Sequence, residues 1–200
     1  KIVNYTIKVV FMKNKDILIP GIFIIFLSFF SYFLLGKIGP IVIGGAGAGG
    51  FLLYLKTSYK THFDTSKVII YYLLAVIFFI VHVYEEYIFG FEQVASQLGG
   101  SSVTQRDFLT FAAFFGPIMW IAGAILILKK WPLGYYFLSF FYFAMTVAEL
   151  THFIFPFILY GKWQYTAGVV TAALPLVPAW MGLRITLKET RRIKASRQEK

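Results

Sequence analysis

A chain of 200 residues that is 58% hydrophobic and only 14% charged cannot cover the surface of a soluble domain, which excludes that class. The absence of cysteine excludes disulfides, thiolate metal sites and cysteine nucleophiles. The net charge of +10 does not indicate nucleic acid, because the basic residues cluster at the ends of apolar runs and from Arg184 to Lys200, as on a membrane face beside anionic lipid.

In chain order, residues 1–16 mix apolar residues with Lys8, Lys13 and Lys15 and read as an interfacial lead-in, a short helix on the membrane. A first span is predicted over Ile17 to Leu35, with Pro20 near its start. A second, Ile38 to Leu55, carries the glycine run 44–50. Gly45 and Gly49 have the spacing that lets helix backbones approach closely, and the run lacks the Lys-Ser/Thr of a phosphate loop. Residues 56–67 form a polar loop in which His62 reads as a solvated side chain. Val68 to Phe89 is the third span and Phe108 to Leu128 the fourth, with a kink expected at Gly116-Pro117. Leu133 to Ile158 is the fifth, bent near Pro156. Trp163 to Leu183 is the sixth, made irregular by Pro175 and Pro178.

The chain thus reads as all-α, a polytopic membrane helix bundle of about six transmembrane helices. Cytoplasmic N- and C-termini satisfy the positive-inside rule, since of the 19 Lys and Arg only Lys37, Arg106 and Lys162 then fall in outer loops. A multi-pass protein of the cell membrane is the expectation.

Two apolar runs contain ionisable clusters, His82-Val83-Tyr84-Glu85-Glu86 and Glu149-Leu150-Thr151-His152. Such groups are costly in hydrocarbon and mark sites. Spans three and five run in the same direction. His82 then lies about 10 Å and His152 about 12 Å below the outer boundary, so the clusters are predicted at matching depth. At helical spacing, Glu86 falls roughly 40° and Glu85 roughly 60° from His82, and Glu149 shares a face with His152, Thr146 and Tyr142.

Adjacent carboxylates in such a medium need a proton or a cation to compensate them, and imidazole with carboxylate suits zinc, iron or manganese. Two templates fit in part. In a pattern like HxxEH, His82, Glu86, Glu149 and His152 hold a divalent metal, Zn or Fe with Mn as a further option, and Glu85 is the general base. In a carboxylate-bridged di-iron bundle, Glu149-x-x-His152 matches one motif, while His82-x-x-Glu85 reverses it. Metal-free proton transfer by Glu and His on a lipid-like substrate and a purely structural polar network are the other two readings of the same residues.

Residues 66–185 resemble the membrane protein family named for its HXXEE motif. The motif stands at His82 to Glu86, and His152, Tyr165 to Thr171 and Leu174 to Leu176 are similar to later segments in the same order. The family's second motif has asparagine four residues before the histidine, where this chain has Ala148 followed by Glu149. The resemblance implies a multi-pass helical protein and carries no activity with it. Residues 1–200 read as one integral-membrane domain: lead-in and two spans (1–65), an HXXEE-like four-span core (66–185) and a basic cytoplasmic tail (186–200).

The functional expectation is an integral-membrane metalloenzyme, a hydrolase or oxidoreductase acting on a lipid or other apolar small molecule. Catalytic Glu85, metal ligands His82, Glu86, Glu149 and His152, and Tyr142, Thr146 and Thr171 along the substrate path make up its site. Membrane lipid is the expected surrounding partner and nucleic acid is not one. A proton- or cation-coupled transporter, favoured by the interrupted spans two and six, is the alternative, followed by a structural subunit of a membrane complex.

Overall fold

A computed structural model describes the backbone of residues 2–198 and the side chains of residues 15–198. The surface positions expected for Lys1, Lys8 and Lys13, and the last two residues of the basic tail, lie outside the described residues. The described residues form helices joined by turns and irregular segments, with no strand among them.

Helix α1 (Ile2–Leu35) is continuous, so the backbone of the lead-in runs into the helix of the first span rather than forming a separate one. A π-helical stretch, Pro40–Gly44, passes directly into α2 (Gly45–Lys56). Then follow α3 (Ser66–Ile88), which carries the first ionisable cluster, and the short α4 (Phe91–Gly99). A third unit begins at α5 (Gln105–Phe108), where Thr104 and Asp107 form a reciprocal cap. It continues through π-helical Leu109–Phe115 into α6 (Gly116–Leu128). The change from π- to α-helix falls at Gly116-Pro117, where the sequence predicts a kink. Helix α7 (Pro132–Phe143) runs through π-helical Ala144–Ala148 and a 3₁₀ turn, Glu149–Phe153, into α8 (Phe155–Tyr160). Helix α9 (Ala173–Gln198) ends the described chain.

Four helical units are long and apolar enough to cross a membrane: Lys15–Leu35, Ser66–Ile88, Gln105–Leu128 and Pro132–Tyr160. Two of the six expected spans are not among these four. Pro40–Lys56 is a shorter apolar helix, reaching roughly 25 Å at helical rise against a hydrocarbon layer of about 30 Å. The expected sixth span does not exist as a helix over 163–172. Those residues form an irregular strap, and α9 starts only at Ala173. The strap contains Gly168 at φ +86° followed by Val169, Val170 and Thr171, a glycine and a β-branched run that favour helix weakly.

The basic segment after residue 185 is helical as far as it is described. Helix α9 continues through it, and Lys194 Nζ and Arg197 Nη1 donate to the carbonyls of Lys56 and Lys60. Glu189 pairs with Arg192 at 2.6 Å and Lys67 at 3.4 Å, fixing α9 beside the start of α3. His62 stacks on Tyr135 with ring centroids 4.7 Å apart, which accounts for it as a loop packing residue.

The core is aromatic. Tyr54, Tyr72, Tyr135, Tyr136, Phe140 and Phe141 are fully buried, while Ile25, Phe29 and Phe33 project outward from α1, as a lipid-facing surface requires. Close helix approach does use the glycine run, but not through the expected Gly45, which faces open space. A Cβ on Gly50 would lie 2.4 Å from Phe140 Cα, so α2 and α7 meet backbone to backbone there.

Candidate metal centre

Helix α3 places His82, Glu85 and Glu86 on one buried end, and the 3₁₀ turn after α7 places Glu149 and His152 opposite them. All five are buried, His82 to 1% exposure. The two clusters, 67 positions apart at Glu149 and His82, meet: His82 Nε2 lies 3.0 Å from Glu149 Oε2 and 3.7 Å from Glu86 Oε1. His152 Nε2 lies 3.5 Å from Glu86 Oε1 and 4.0 Å from Glu149 Oε2. The imidazole planes stand at 89° with centroids 4.7 Å apart, and the Nε2 atoms of both lie within 4.0 Å of the same two carboxylates.

The strap, residues 161–172, sets the proton positions. His152 Nδ1 is 3.3 Å from the Ala167 carbonyl, which can only accept, so this nitrogen carries the hydrogen. His82 Nδ1 is 3.1 Å from Thr171 Oγ1, and that hydroxyl donates to Glu85 Oε2. Thr171 therefore accepts from His82 Nδ1. In each neutral imidazole the remaining lone pair belongs to Nε2, the atom turned towards the carboxylates. Two lone-pair nitrogens and two carboxylates then face one another at 3.0–4.0 Å. Glu149 Oε2 is buried without any hydrogen-bond partner. Such a constellation repels itself unless something positive, a proton or a metal cation, sits among its members.

The spacing suits a cation. Donor atoms of His82, Glu86 and His152 all lie within 4.8 Å of one another. A tetrahedral shell with ligands about 2.1 Å from zinc has edges of roughly 3.4 Å, in the middle of the observed separations. Each histidine is also held through its other nitrogen, as metal-binding imidazoles are.

Glu85 turns away from this centre. Its Oε1 accepts from Tyr165 Oη at 2.7 Å and Val170 N at 3.4 Å, and its Oε2 from Thr171 N at 2.7 Å and from the Thr171 hydroxyl. Burial and the bond to Glu85 hold the Tyr165 phenol protonated well above its ordinary range. The expected general base is thus the anchor of the strap, and Thr171 is a bridge between Glu85 and His82. Tyr142 donates to the Val68 carbonyl at 2.6 Å, near the start of α3, and Thr146 donates to the Tyr142 carbonyl at 2.6 Å. Neither lines the cavity described next.

A cavity of about 130 Å³ extends from His82, Glu86, Glu149 and His152 between the helices. Its walls are apolar, among them Phe79, Phe91, Phe111, Phe115 and Met145. Phe91 and Phe155 pack on His152, with ring centroids 5.3 and 5.4 Å away, and Gly168 closes the strap side. A Cβ at Gly168 would stand 2.8 Å from His152 Nδ1 and 2.9 Å from Glu86 Cγ.

Residues 73–181, more than half the chain, match a family described as proteins of unknown function with an HXXEE motif. The chain belongs to the HXXEE-motif family. No curated protein and no solved structure matches it. In this HXXEE protein the motif letters divide their work: the histidine and the second glutamate enter the centre, and the first glutamate binds the strap. Tyr165, Ala167, Gly168 and Val170 belong to the site only through the strap, whereas the sequence predicts a helix over them. The glycine before a β-branched run was the available signal.

Proposed function

We propose that this protein is an integral-membrane metalloenzyme, of hydrolase or oxidoreductase type, acting on a lipid or other apolar substrate. The observation that carries the reading is the convergence of two lone-pair imidazole nitrogens with two buried carboxylates at the end of an apolar cavity. His82, Glu86 and His152 are the ligands and Glu149 the fourth donor. With Glu85 committed to the strap, two carboxylates remain, so one metal ion suits the centre and the four-carboxylate di-iron arrangement does not. Zinc or iron, and then manganese, are the ions this N/O donor set prefers.

A second reading rests on the same 3.0 Å contact between His82 Nε2 and Glu149 Oε2, which is also a hydrogen-bond length. With a proton there in place of a metal, the pair is an acid–base couple able to move a proton on an apolar substrate. Elemental analysis of protein purified without added metal separates the two. Stoichiometric Zn, Fe or Mn, lost in His82→Ala and His152→Ala, supports the metalloenzyme. A metal-free protein with unaltered fold leaves the proton-transfer reading.

A further inference from the structure

The chemistry of the cavity selects among apolar molecules. Every π-helical stretch among the described residues contributes to its wall: Val42 from Pro40–Gly44, Phe111 from Leu109–Phe115 and Met145 from Ala144–Ala148. π-Helical turns are rare and concentrate at functional sites. Small residues leave the space open, with Gly39, Ala46, Ala95, Ala112, Ala144 and Ala148 all on the wall. The volume of about 130 Å³ compares with the ~150 Å³ apolar cavity that takes up benzene, so it holds a compact part of a lipid rather than a whole one.

Charge decides the rest. No lysine or arginine lines the cavity among the described residues, and its ionisable groups are the two imidazoles and two carboxylates of the centre. With two neutral imidazoles, two carboxylates and a divalent ion, the centre is electrically balanced. It has no net positive charge to hold a phosphate or a free carboxylate. An anionic headgroup brought here would lose its water without gaining a counter-charge.

We propose that the cavity takes the polar end of an uncharged lipid, such as a long-chain alcohol, aldehyde or neutral ester, with its oxygen at the His82–Glu149 centre and its first carbons among Phe79, Ala112 and Ala148. This rests on the metal-centre reading for its charge balance. A phospholipid headgroup does not enter.

The test uses the full chain in nanodiscs and two photoreactive probes. One is a long-chain fatty alcohol with a diazirine close to its hydroxyl, and the other a phosphatidylcholine with a diazirine close to its headgroup. Labelled peptides are mapped by mass spectrometry, and metal content is measured on the same samples. The alcohol probe should label peptides spanning residues 105–116 and 144–155 and be displaced by unlabelled alcohol. Its labelling should fall roughly tenfold in Ala112→Leu and Ala148→Phe, with metal content unchanged. Alcohol labelling of these peptides in protein devoid of metal would remove the metal from the proposed function and leave the pocket standing. Equal or stronger labelling of the cavity by the phospholipid probe overturns the proposal. So does alcohol labelling confined to the outward faces of the helices and indifferent to both substitutions.

Discussion

Thr171 gives Glu85 two hydrogen bonds, one from its backbone N–H at 2.7 Å and one from its hydroxyl, while the same hydroxyl receives His82 Nδ1 at 3.1 Å. A carboxylate 86 positions away thereby holds the orientation and tautomer of a histidine three residues before it in the chain. Glu85→Gln should leave a buried amide where four donors expect a carboxylate, lowering stability by about 2 kcal/mol, seen as a lower Tm in detergent. Metal affinity should fall roughly 10–100-fold without being abolished. Complete loss of metal in Glu85→Gln would make Glu85 a ligand and contradict the geometry.

Thr171→Val removes the hydroxyl but keeps the backbone bond to Glu85. The fold should survive, and metal affinity should drop by roughly tenfold because His82 Nδ1 loses the hydroxyl that orients its ring. Thr171→Ser should restore it. Competition titration against a chromophoric chelator measures both, and a valine variant indistinguishable from wild type would refute the bridging role.

Gly168 is held at φ +86° with no room for a side chain beside His152 and Glu86. Gly168→Ala should cost on the order of 3 kcal/mol, from backbone strain together with overpacking, and should displace His152. Thermal unfolding together with metal content checks this. A stable alanine variant with full metal would mean that the strap does not sit as described.

Tyr165→Phe removes one donor to Glu85 while keeping the ring that packs on Phe89 at 5.2 Å. A loss of about 1 kcal/mol is expected, with hydrogen exchange of residues 161–172 rising while that of α7 stays unchanged. Uniform exchange changes across the molecule would argue against a local anchor.

Away from the centre, Gly50→Ala should force α2 from Phe140, whose backbone it touches, costing about 1–3 kcal/mol. Gly45→Ala, facing open space, should be neutral or slightly stabilising through higher helix propensity. Parallel melting curves of the two variants give the comparison, and equal destabilisation would refute the packing assignment.

Residue periodicity carried a good deal of this protein. Hydropathy alone located the four span-length helices, because a run of apolar residues in lipid has no alternative to closing its own hydrogen bonds. Helical rise predicts a matching depth for His82 and His152, which is why two clusters far apart in sequence could be expected to face each other. Tertiary structure decided what local rules do not contain. Residues 163–172 are apolar enough to pass for part of a span, yet their backbone groups are taken by Glu85 and His152, and those long-range partners stabilise an irregular strap over a helix. Helical angle put both Glu85 and Glu86 towards the interior. The strap's donors drew Glu85 out, and the absence of such donors left Glu86 in the centre. The histidine tautomers, and with them the atoms free to bind a cation, depend wholly on the Ala167 carbonyl and Thr171 hydroxyl, contacts that exist only once the chain has folded back on itself.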